Sequence, residues 1–328
     1  MYQSIALSIV GVIILIFAGD FLVRGASNIA YKLMISPMVV GLTIVAFGTS
    51  APELFISTWA ALKGSSNLAI GNVVGSNICN LSLVLGATAL FYPIVIKSRG
   101  VIVDWFMTIG AGVLLFFFMY RDGEIVRFEG IIMILILSIY TYALIQNSRK
   151  KTKERLAMGL EVEVDEDVPP LEEIVIWKEV GYFLIGIIGL YFGVKLFGQN
   201  VLIIFVDGGI MSEELAGLTV VAFATSLPEL ITSVIAAYKR NTDLAIGNLL
   251  GSCIFNVLSI LGVTSLITNI TDIEPVIMSR DMMWMFGVML LIAPMLFYFK
   301  KFSKFSGVIL ILFYVAYTTV LIVEMVNT

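Results

Sequence analysis

The sequence contains no histidine, few charged residues and only two cysteines. Charged residues make up 13% of its 328 residues, about half of the ~25% that is usual in soluble domains. The lack of histidine removes the commonest metal ligand and the commonest proton shuttle near neutral pH. Cys79 and Cys253 both lie in apolar runs, so we expect small packing residues and no disulfide framework. The net charge of −4 argues against a nucleic-acid partner.

Hydrophobic residues are abundant instead, at 59% of the chain, with a mean hydropathy of +1.01. Runs of ~20 apolar residues, the length that crosses a bilayer as a helix, recur throughout. The sequence therefore predicts an all-α polytopic membrane protein. The first run, from Ile5, has no basic leader and is expected to be a retained helix. The ten predicted membrane helices span 4–30, 37–62, 67–92, 101–120, 126–146, 177–205, 213–238, 243–267, 281–299 and 305–325.

One polar stretch divides the chain. Residues 147–176 open with "SRKKTKER" and continue through "EVEVDEDVPPLEE". We interpret 147–176 as a linker between a first set of five helices, 1–146, and a second set of five, 177–328. The acidic run within it lacks the spacing and glycine of an EF-hand, so it is expected to be a solvated segment.

The basic residues are unevenly distributed between alternate connections. Fourteen lie in the connections that follow odd-numbered helices: Lys32, Lys97, Arg99, Arg149, Lys150, Lys151, Lys153, Arg155, Lys178, Lys239, Arg240, Lys300, Lys301 and Lys304. The other connections hold only four: Lys63, Arg121, Arg127 and Arg280. Because basic residues concentrate in cytoplasmic loops, the linker is expected to be cytoplasmic and both termini extracellular, in the plasma membrane.

The two halves share a repeated segment. Residues 41–86 and 217–262 align without a gap and are identical at 26 of 46 positions. Five helices per half place the second half upside down relative to the first. The sequence thus predicts two inverted five-helix repeats, an architecture that places substrates near the bilayer midplane in many secondary transporters.

Each repeat carries a glutamate inside an apolar run. Residues 48–57 read "GTSAPELFIS" and residues 224–233 read "ATSLPELITS", which contain Glu53 and Glu229. A carboxylate within a membrane segment is costly and indicates a functional site by default. The alternatives are neutralisation by a basic residue or a place at a helix end. Neither run has a Lys or Arg near its glutamate, and both glutamates lie well inside their runs.

Proline precedes each glutamate. Pro52 and Pro228 have no amide hydrogen, so the carbonyls of Gly48 and Ala224 lose their helical partner. A broken helix at membrane depth is tolerated where it is buried in protein or lines a cavity, and freed carbonyls there become oxygen ligands. A simple kink is the alternative, but it does not explain the Thr and Ser that surround each break.

The second part of each repeat reads "GNVVGSNICN" or "GNLLGSCIFN". Its glycines form small-xxx-small pairs that favour close helix packing: Gly71, Gly75, Gly247 and Gly251. Its neutral oxygens lie one helical turn apart: Ser76, Asn80, Ser252 and Asn256.

Two carboxylates with hydroxyl, amide and backbone oxygens make a site suited to hard cations such as Ca²⁺, which takes 6–8 oxygens at ~2.3–2.6 Å. Soft metals such as zinc or copper are disfavoured. Two negative charges suit one divalent ion or several monovalent ions, whose competition is what an antiporter needs.

These motifs resemble the alpha repeats of the cation/calcium exchanger superfamily, specifically its prokaryotic-type sodium/calcium exchangers. The resemblance implies ten helices, transport of several Na⁺ against one Ca²⁺, no cofactor and no enzymatic activity. It also implies that the first and sixth membrane helices slide across the others. The implied metal ligands are the carbonyls of Ala46 and Ala222 with the side chains of Thr49, Ser50, Glu53, Ser76, Asn80, Thr225, Ser226, Glu229, Ser252 and Asn256.

Two details narrow the resemblance to one branch of the superfamily. Proton-coupled relatives usually carry Gly-Asn where Thr49-Ser50 stands, so Na⁺ is favoured over H⁺. Potassium-dependent relatives usually carry Asp where Asn256 stands, so K⁺ is not expected to be required. H⁺/Ca²⁺ exchange and K⁺-dependent exchange stay open, with an intramembrane enzyme or a cation channel as remoter alternatives. The expected partners are Na⁺, Ca²⁺ and the lipid bilayer, and a single chain is expected to function as a monomer.

Overall fold

The computed structural model describes residues 2–96, 100–158, 173–204 and 222–327, and nearly all of them are helical. The helices are α1 (Tyr2–Lys32), α2 (Pro37–Thr49), α3 (Ala51–Leu62), α4 (Ser66–Phe91), α5 (Gly100–Asp122), α6 (Arg127–Ala157), α7 (Ile176–Leu202), α8 (Ala222–Thr225), α9 (Leu227–Tyr238), α10 (Thr242–Ile267), α11 (Ile277–Phe297) and α12 (Lys304–Asn327). Two short strands, β1 (Ile94–Val95) and β2 (Lys301–Phe302), pair antiparallel. The predicted helical class is therefore confirmed for the described residues.

Eight of these helices are long and apolar enough to cross a membrane: α1, α4, α5, α6, α7, α10, α11 and α12. Together α2 and α3 would form a ninth span, bent by 48° at the break between them. Helix α9 is apolar but has only 12 residues. The span predicted over 213–238 begins in a stretch outside the described residues, so the tenth span stays a prediction.

Helix α6 differs most from its predicted length. We expected it to end at residue 146, but it continues to Ala157 and takes in the basic start of the segment interpreted as a linker. A helix need not end where the hydrocarbon ends, because Lys, Arg and Glu are good helix formers in water. Lys150 and Glu154 also form an i,i+4 ion pair at 3.9 Å. The acidic run that follows lies outside the described residues.

The two helices that carry the second part of each repeat form the centre of the molecule. In their most apolar stretches, 78% of α4 and 83% of α10 is buried, against 22% for α6 and α12. Helix α10 packs against α2, and α4 packs against α3 and α8. Helices α4 and α10 are therefore largely shielded by the other helices, whereas α6 and α12 lie at the periphery.

Helices α1 and α7 pack against each other over much of their length. A Cβ added at Gly186 would lie 2.7 Å from the backbone nitrogen of Leu22, and one at Gly25 would lie 2.7 Å from the carbonyl oxygen of Glu179. The two backbones are therefore in near contact. Large apolar residues on both helices, such as Phe17 and Phe192, remain exposed on the outer surface.

The connections between helices form two groups, one at each end of the helices. At one end, β1 follows α4 and pairs with β2, which precedes α12. At the other, Ile125 after α5 bridges to Ile270 after α10. Asn67 at the start of α4 donates its amide to Glu274 Oε1 at 2.8 Å at this second end.

The predicted packing role of the glycines holds in α10. A Cβ at Gly251 would lie 2.7 Å from the Cα of Leu42 and 2.8 Å from the Cβ of Ala46, both in α2. For Gly71 and Gly75, no atom of the described residues lies within 4 Å of such a Cβ. The segment equivalent to most of α2 in the second half falls outside the described residues.

We expect Gly251→Ala to destabilise the protein, because the added methyl group meets backbone that cannot move aside. Overpacking of this kind costs about 1–3 kcal/mol, more than the ~1 kcal/mol that Ala gains over Gly in a helix. The measurement is the thermal unfolding midpoint in detergent. Gly110→Ala is the control, because Gly110 is exposed on α5 with no described atom within 4 Å of its Cβ. An unchanged or raised midpoint for Gly251→Ala would contradict this packing.

Candidate cation site

Both proline-containing segments break in the same way. Ser50 separates α2 from α3 with φ −84° and ψ 7°, and Ser226 separates α8 from α9 with φ −84° and ψ 3°. Each break is followed by a proline near the helix start, where its missing N–H is not needed. A break is therefore present at the predicted place in each half, and it bends the first by 48°. The freed carbonyls as ligands stay a prediction. The new helices begin inside the apolar runs.

The breaks place the glutamates at helix N-termini. Glu53 lies in the first turn of α3, Glu229 lies in the first turn of α9, and both are completely buried. The N-terminal end of a helix carries a partial positive charge that stabilises an anionic side chain. The expectation that neither glutamate lies at a helix end, which rested on the apolar runs that extend past them on each side, is therefore wrong. The proline immediately before each glutamate was the signal of a helix start.

Side chains from the two halves meet at Glu229. Ser50 Oγ donates to Glu229 Oε1 at 3.2 Å from the first half, and Ser252 Oγ donates to the same oxygen at 3.4 Å from the second. Thr49 Oγ1 lies 3.4 Å from Ser252 Oγ. These distances exceed the ~2.5–2.7 Å of a strong hydroxyl–carboxylate bond. The hydroxyl groups therefore lie around the carboxylate but do not use its full hydrogen-bonding capacity.

Several predicted ligands carry buried side-chain atoms that have no hydrogen-bond partner among the described residues. These are both carboxylate oxygens of Glu53, Oε2 of Glu229, the hydroxyls of Ser76 and Ser226, both amide atoms of Asn80, and Oδ1 of Asn256. A buried polar group without a partner costs about 1–3 kcal/mol, and more when it is charged. A bound cation removes that cost for oxygen atoms. The donor set, all oxygen with two carboxylates, fits a hard cation.

The remaining predicted ligands are also located. Ala46 O accepts from Ser50 N at 3.0 Å and lies 3.3 Å from Thr49 Oγ1, so this carbonyl already has partners within its own helix. Ala222 is the first residue of α8, and Thr225, the last, is buried. The side chain of Thr225 lies next to the Glu53 carboxylate of the first half, and the contacts of Ala222 stay a prediction.

Two asparagines support the site and were not predicted. Asn72 Nδ2 donates to Ser57 Oγ at 2.9 Å, and Asn248 Nδ2 donates to Ser233 Oγ at 3.0 Å. Asn248 Oδ1 also accepts from Thr49 Oγ1 at 3.3 Å, across the two halves. Both asparagines belong to the repeated "GN" that opens the second motif, so the repeat itself was the signal.

The helices that carry the amides change geometry at the site. A π-helical segment begins at Asn80 in α4, and another begins at Asn256 in α10. Such segments occur frequently at functional sites, since the extra residue per turn displaces side chains from their helical positions. Nothing in the sequence pattern indicated these segments beyond the equivalent positions of the two asparagines.

Comparison with known proteins places these features in a family. A family model described as sodium/calcium exchanger protein matches residues 3–146 and 178–323. The putative antiporter CaxA of Alkalimonas amylolytica is 35% identical over 94% of this chain and 95% of its own. The sodium/calcium exchanger MaX1 of Methanosarcina acetivorans is 29% identical over 95% and 97%. A structure of the sodium-calcium exchanger NCX_Mj, soaked with zero Na⁺ and Ca²⁺, has a TM-score of 0.78 at 26% identity and covers 95% of this chain and 97% of its own.

We expect Ser50→Ala to weaken Ca²⁺ binding roughly tenfold, about 1.4 kcal/mol. The Ser50 hydroxyl is a predicted ligand oxygen, and it donates to Glu229 of the second half. Calorimetric titration of the purified protein in detergent measures the change. Ser138→Ala is the control, because Ser138 is exposed and its hydroxyl bonds to Ile134 O of its own helix at 2.7 Å. Equal Ca²⁺ affinity in the two variants would show that Ser50 does not contribute to cation binding.

Proposed function

Because the chain belongs to the sodium/calcium exchanger family, we propose that it is a secondary antiporter that exchanges Na⁺ for Ca²⁺ across the membrane by alternating access. The observation that carries the proposal is the contact between Ser50 of the first half and Glu229 of the second, at 3.2 Å. It supports one shared cage of oxygens between the halves, as expected of transporters built from inverted repeats.

The proposed ligands are the set given by the family resemblance. Their support is the burial of both carboxylates and the unpartnered oxygens around them. Two carboxylates balance one Ca²⁺ or about two Na⁺ in charge, so the two kinds of ion compete for the same oxygens. This competition couples the movements of the two ions if the carrier changes its facing side only when an ion is bound. After it has released one ion, the carrier must then bind the other before it can return.

We also propose that the membrane domain consists of ten helices in two inverted repeats. Contacts outside the repeated motifs support this. Tyr140 donates to buried Asp104 at 2.7 Å, and Tyr317 donates to buried Asp281 at 3.2 Å, each pair being 36 residues apart. Equivalent helices of the two halves thus make the same kind of contact.

The close contacts of two glycines support the same relation. A Cβ at Gly130 in α6 would lie 2.7 Å from the carbonyl oxygen of Gly262 in α10. Gly307 in α12 approaches the carbonyl of Gly86 in α4 in the same manner. Gly86 and Gly262 are the last aligned residues of the repeated segment.

The proposed orientation places both termini outside and the segment between the halves in the cytoplasm. The charge count supports it, and so do the contacts between connections. The β1–β2 pair joins two connections that the count assigns to the inside. The bridge between Ile125 and Ile270 joins two that it assigns to the outside.

Movement of α1 and α7 as a pair across the rest is the proposed route to alternating access. Their close backbone contact supports their moving together. A cavity of about 320 Å³ lies between α7 and the breaks, where it is lined by Thr49, Pro52 and Pro228 together with Ile187 and Leu190. The faces of α7 next to the breaks are thus apolar and loosely packed, which suits sliding.

The test is Ca²⁺ uptake into proteoliposomes loaded with Na⁺ and diluted into Na⁺-free buffer. We expect uptake that requires the Na⁺ gradient and falls to background in Glu53→Gln and in Glu229→Gln, because each removes one of the two charges that balance Ca²⁺. Glu179→Gln is the matched control and should retain uptake. Glu179 is another buried glutamate, which accepts from Asn28 Nδ2 at 2.9 Å in the α1–α7 contact.

The same assay separates the alternatives. Uptake driven by a pH gradient without Na⁺ would indicate H⁺/Ca²⁺ exchange, and a strict need for K⁺ would indicate the potassium-dependent type. Unchanged uptake in both site variants would refute the proposed ligands. Unitary currents in a planar bilayer would indicate a channel.

A further inference from the structure

An asparagine outside the predicted ligand set connects α4 to α10. Asn77 is completely buried, and its Nδ2 donates to the backbone carbonyl of Cys253 at 3.2 Å. A backbone carbonyl can only accept a hydrogen bond. The amide of Asn77 therefore has one orientation, with Nδ2 toward Cys253 and Oδ1 toward its other neighbour.

That other neighbour is Asn256. Its Nδ2 donates to Asn77 Oδ1 at 3.1 Å. Because Asn77 Oδ1 can only accept, the amide of Asn256 is oriented in turn. Its own Oδ1 faces away from Asn77, is buried, and has no hydrogen-bond partner among the described residues. Asn256 lies one helical turn after Ser252, which donates to Glu229.

The other half of the cage lacks this arrangement. Position 253 is equivalent to position 77 in the repeat, and it holds a cysteine. Cys253 Sγ lies 4.0 Å from the carbonyl oxygen of Asn77, so the two side chains approach each other's backbone in the same way. A thiol offers no carbonyl oxygen to hold an amide. Both amide atoms of Asn80, the equivalent of Asn256, have no partner in the described part of the chain.

We propose that Asn77 is a positioning residue that holds the amide of Asn256 with its oxygen toward the cation, an inference that rests on the proposed exchange of Na⁺ and Ca²⁺. This role is confined to one half of the cage. A fixed ligand loses no side-chain freedom when the ion binds, whereas a rotating amide must be ordered first. Asn256 therefore contributes more to cation affinity than Asn80 does, although the two positions are equivalent in the repeat.

The arrangement also selects the residue at position 256. A carboxylate there would place an acceptor against Asn77 Oδ1, and Asn77 could turn only by losing its bond to Cys253 O. Asn77 therefore favours a neutral amide over an acid at this position. The number of negative charges in the cage is kept at two by a residue that is not itself a ligand.

The first test is Asn77→Cys, which places at position 77 the residue already accepted at position 253. We expect the Ca²⁺ concentration for half-maximal exchange to rise about fivefold, the effect of one lost neutral hydrogen bond, with the maximal rate retained. Asn67→Cys is the control, since Asn67 makes its contact with Glu274 at an exposed end of the helices. A purely structural role for Asn77 would lower the unfolding midpoint and the amount of active protein, without this change in half-saturation.

The second test exchanges the two residues in Asn77→Cys/Cys253→Asn. In the wild type, Asn256→Ala should raise the half-saturation concentration more than Asn80→Ala does. In the exchanged background the order should reverse, because the amide at position 253 then holds that of Asn80. The same order in both backgrounds, or an unchanged half-saturation in Asn77→Cys, would overturn the proposal.

The outcome is separable from the proposed function. If the wild type shows no Na⁺-driven Ca²⁺ uptake, the function fails, and the same variants are then ranked by calorimetric titration with Ca²⁺. Reversal of the two alanine effects in that titration supports the positioning role, and an unreversed order refutes it.

Discussion

Two carboxylates buried in the interior of a membrane protein are the constraint on which the rest of this structure depends. Glu53 and Glu229 have no exposed surface, and a charge in such a place needs compensation from fixed dipoles, hydroxyl groups or ions. The chain breaks a helix before each of them, so that each lies at a partially positive helix end. Because backbone broken at membrane depth must be covered by protein, α4 and α10 lie at the centre, and the glycines of α10 let it approach α2.

The parts of the site that could be read from the sequence are those whose signal is local and repeated. The glutamates, the hydroxyls beside them and the prolines are polar or helix-breaking residues within apolar runs, and they occur at equivalent positions in both repeats. Helix ends were harder to place. The apolar run continues past Glu53 on both sides, so hydropathy alone put the residue inside a helix. At α6 the same reasoning ended the helix at the hydrocarbon boundary, although its hydrogen bonds continue through polar residues to Ala157.

What the sequence could not supply is the contact between halves. The bond from Ser50 to Glu229 joins residues 179 positions apart, and no spacing or periodicity encodes it. Asn77 and Cys253 illustrate a further limit. In the alignment of the repeats they are one mismatch among twenty, whereas in the structure Asn77 accepts from Asn256 and the equivalent Asn80 has no partner among the described residues. The effect of a mismatch depends on which side chain it faces, and that depends on the packing of α4 against α10.

The difference between the halves follows from what an inverted repeat does. If the halves were identical, exchanging their conformations would turn an outward-facing state into an inward-facing one of equal energy. Each ligand would then contribute to binding in one state as much as its equivalent in the other half contributes in the other state. Asn77 holds the amide of Asn256, whereas the amide of Asn80 has no partner in the described part of the chain, and this difference removes that equality. The cage then has one rigid side and one adaptable side. Since Na⁺ and Ca²⁺ differ in charge far more than in size, a cage that accommodates both needs constant charge and some freedom in its neutral oxygens. Two fixed carboxylates with amides of unequal freedom meet both requirements.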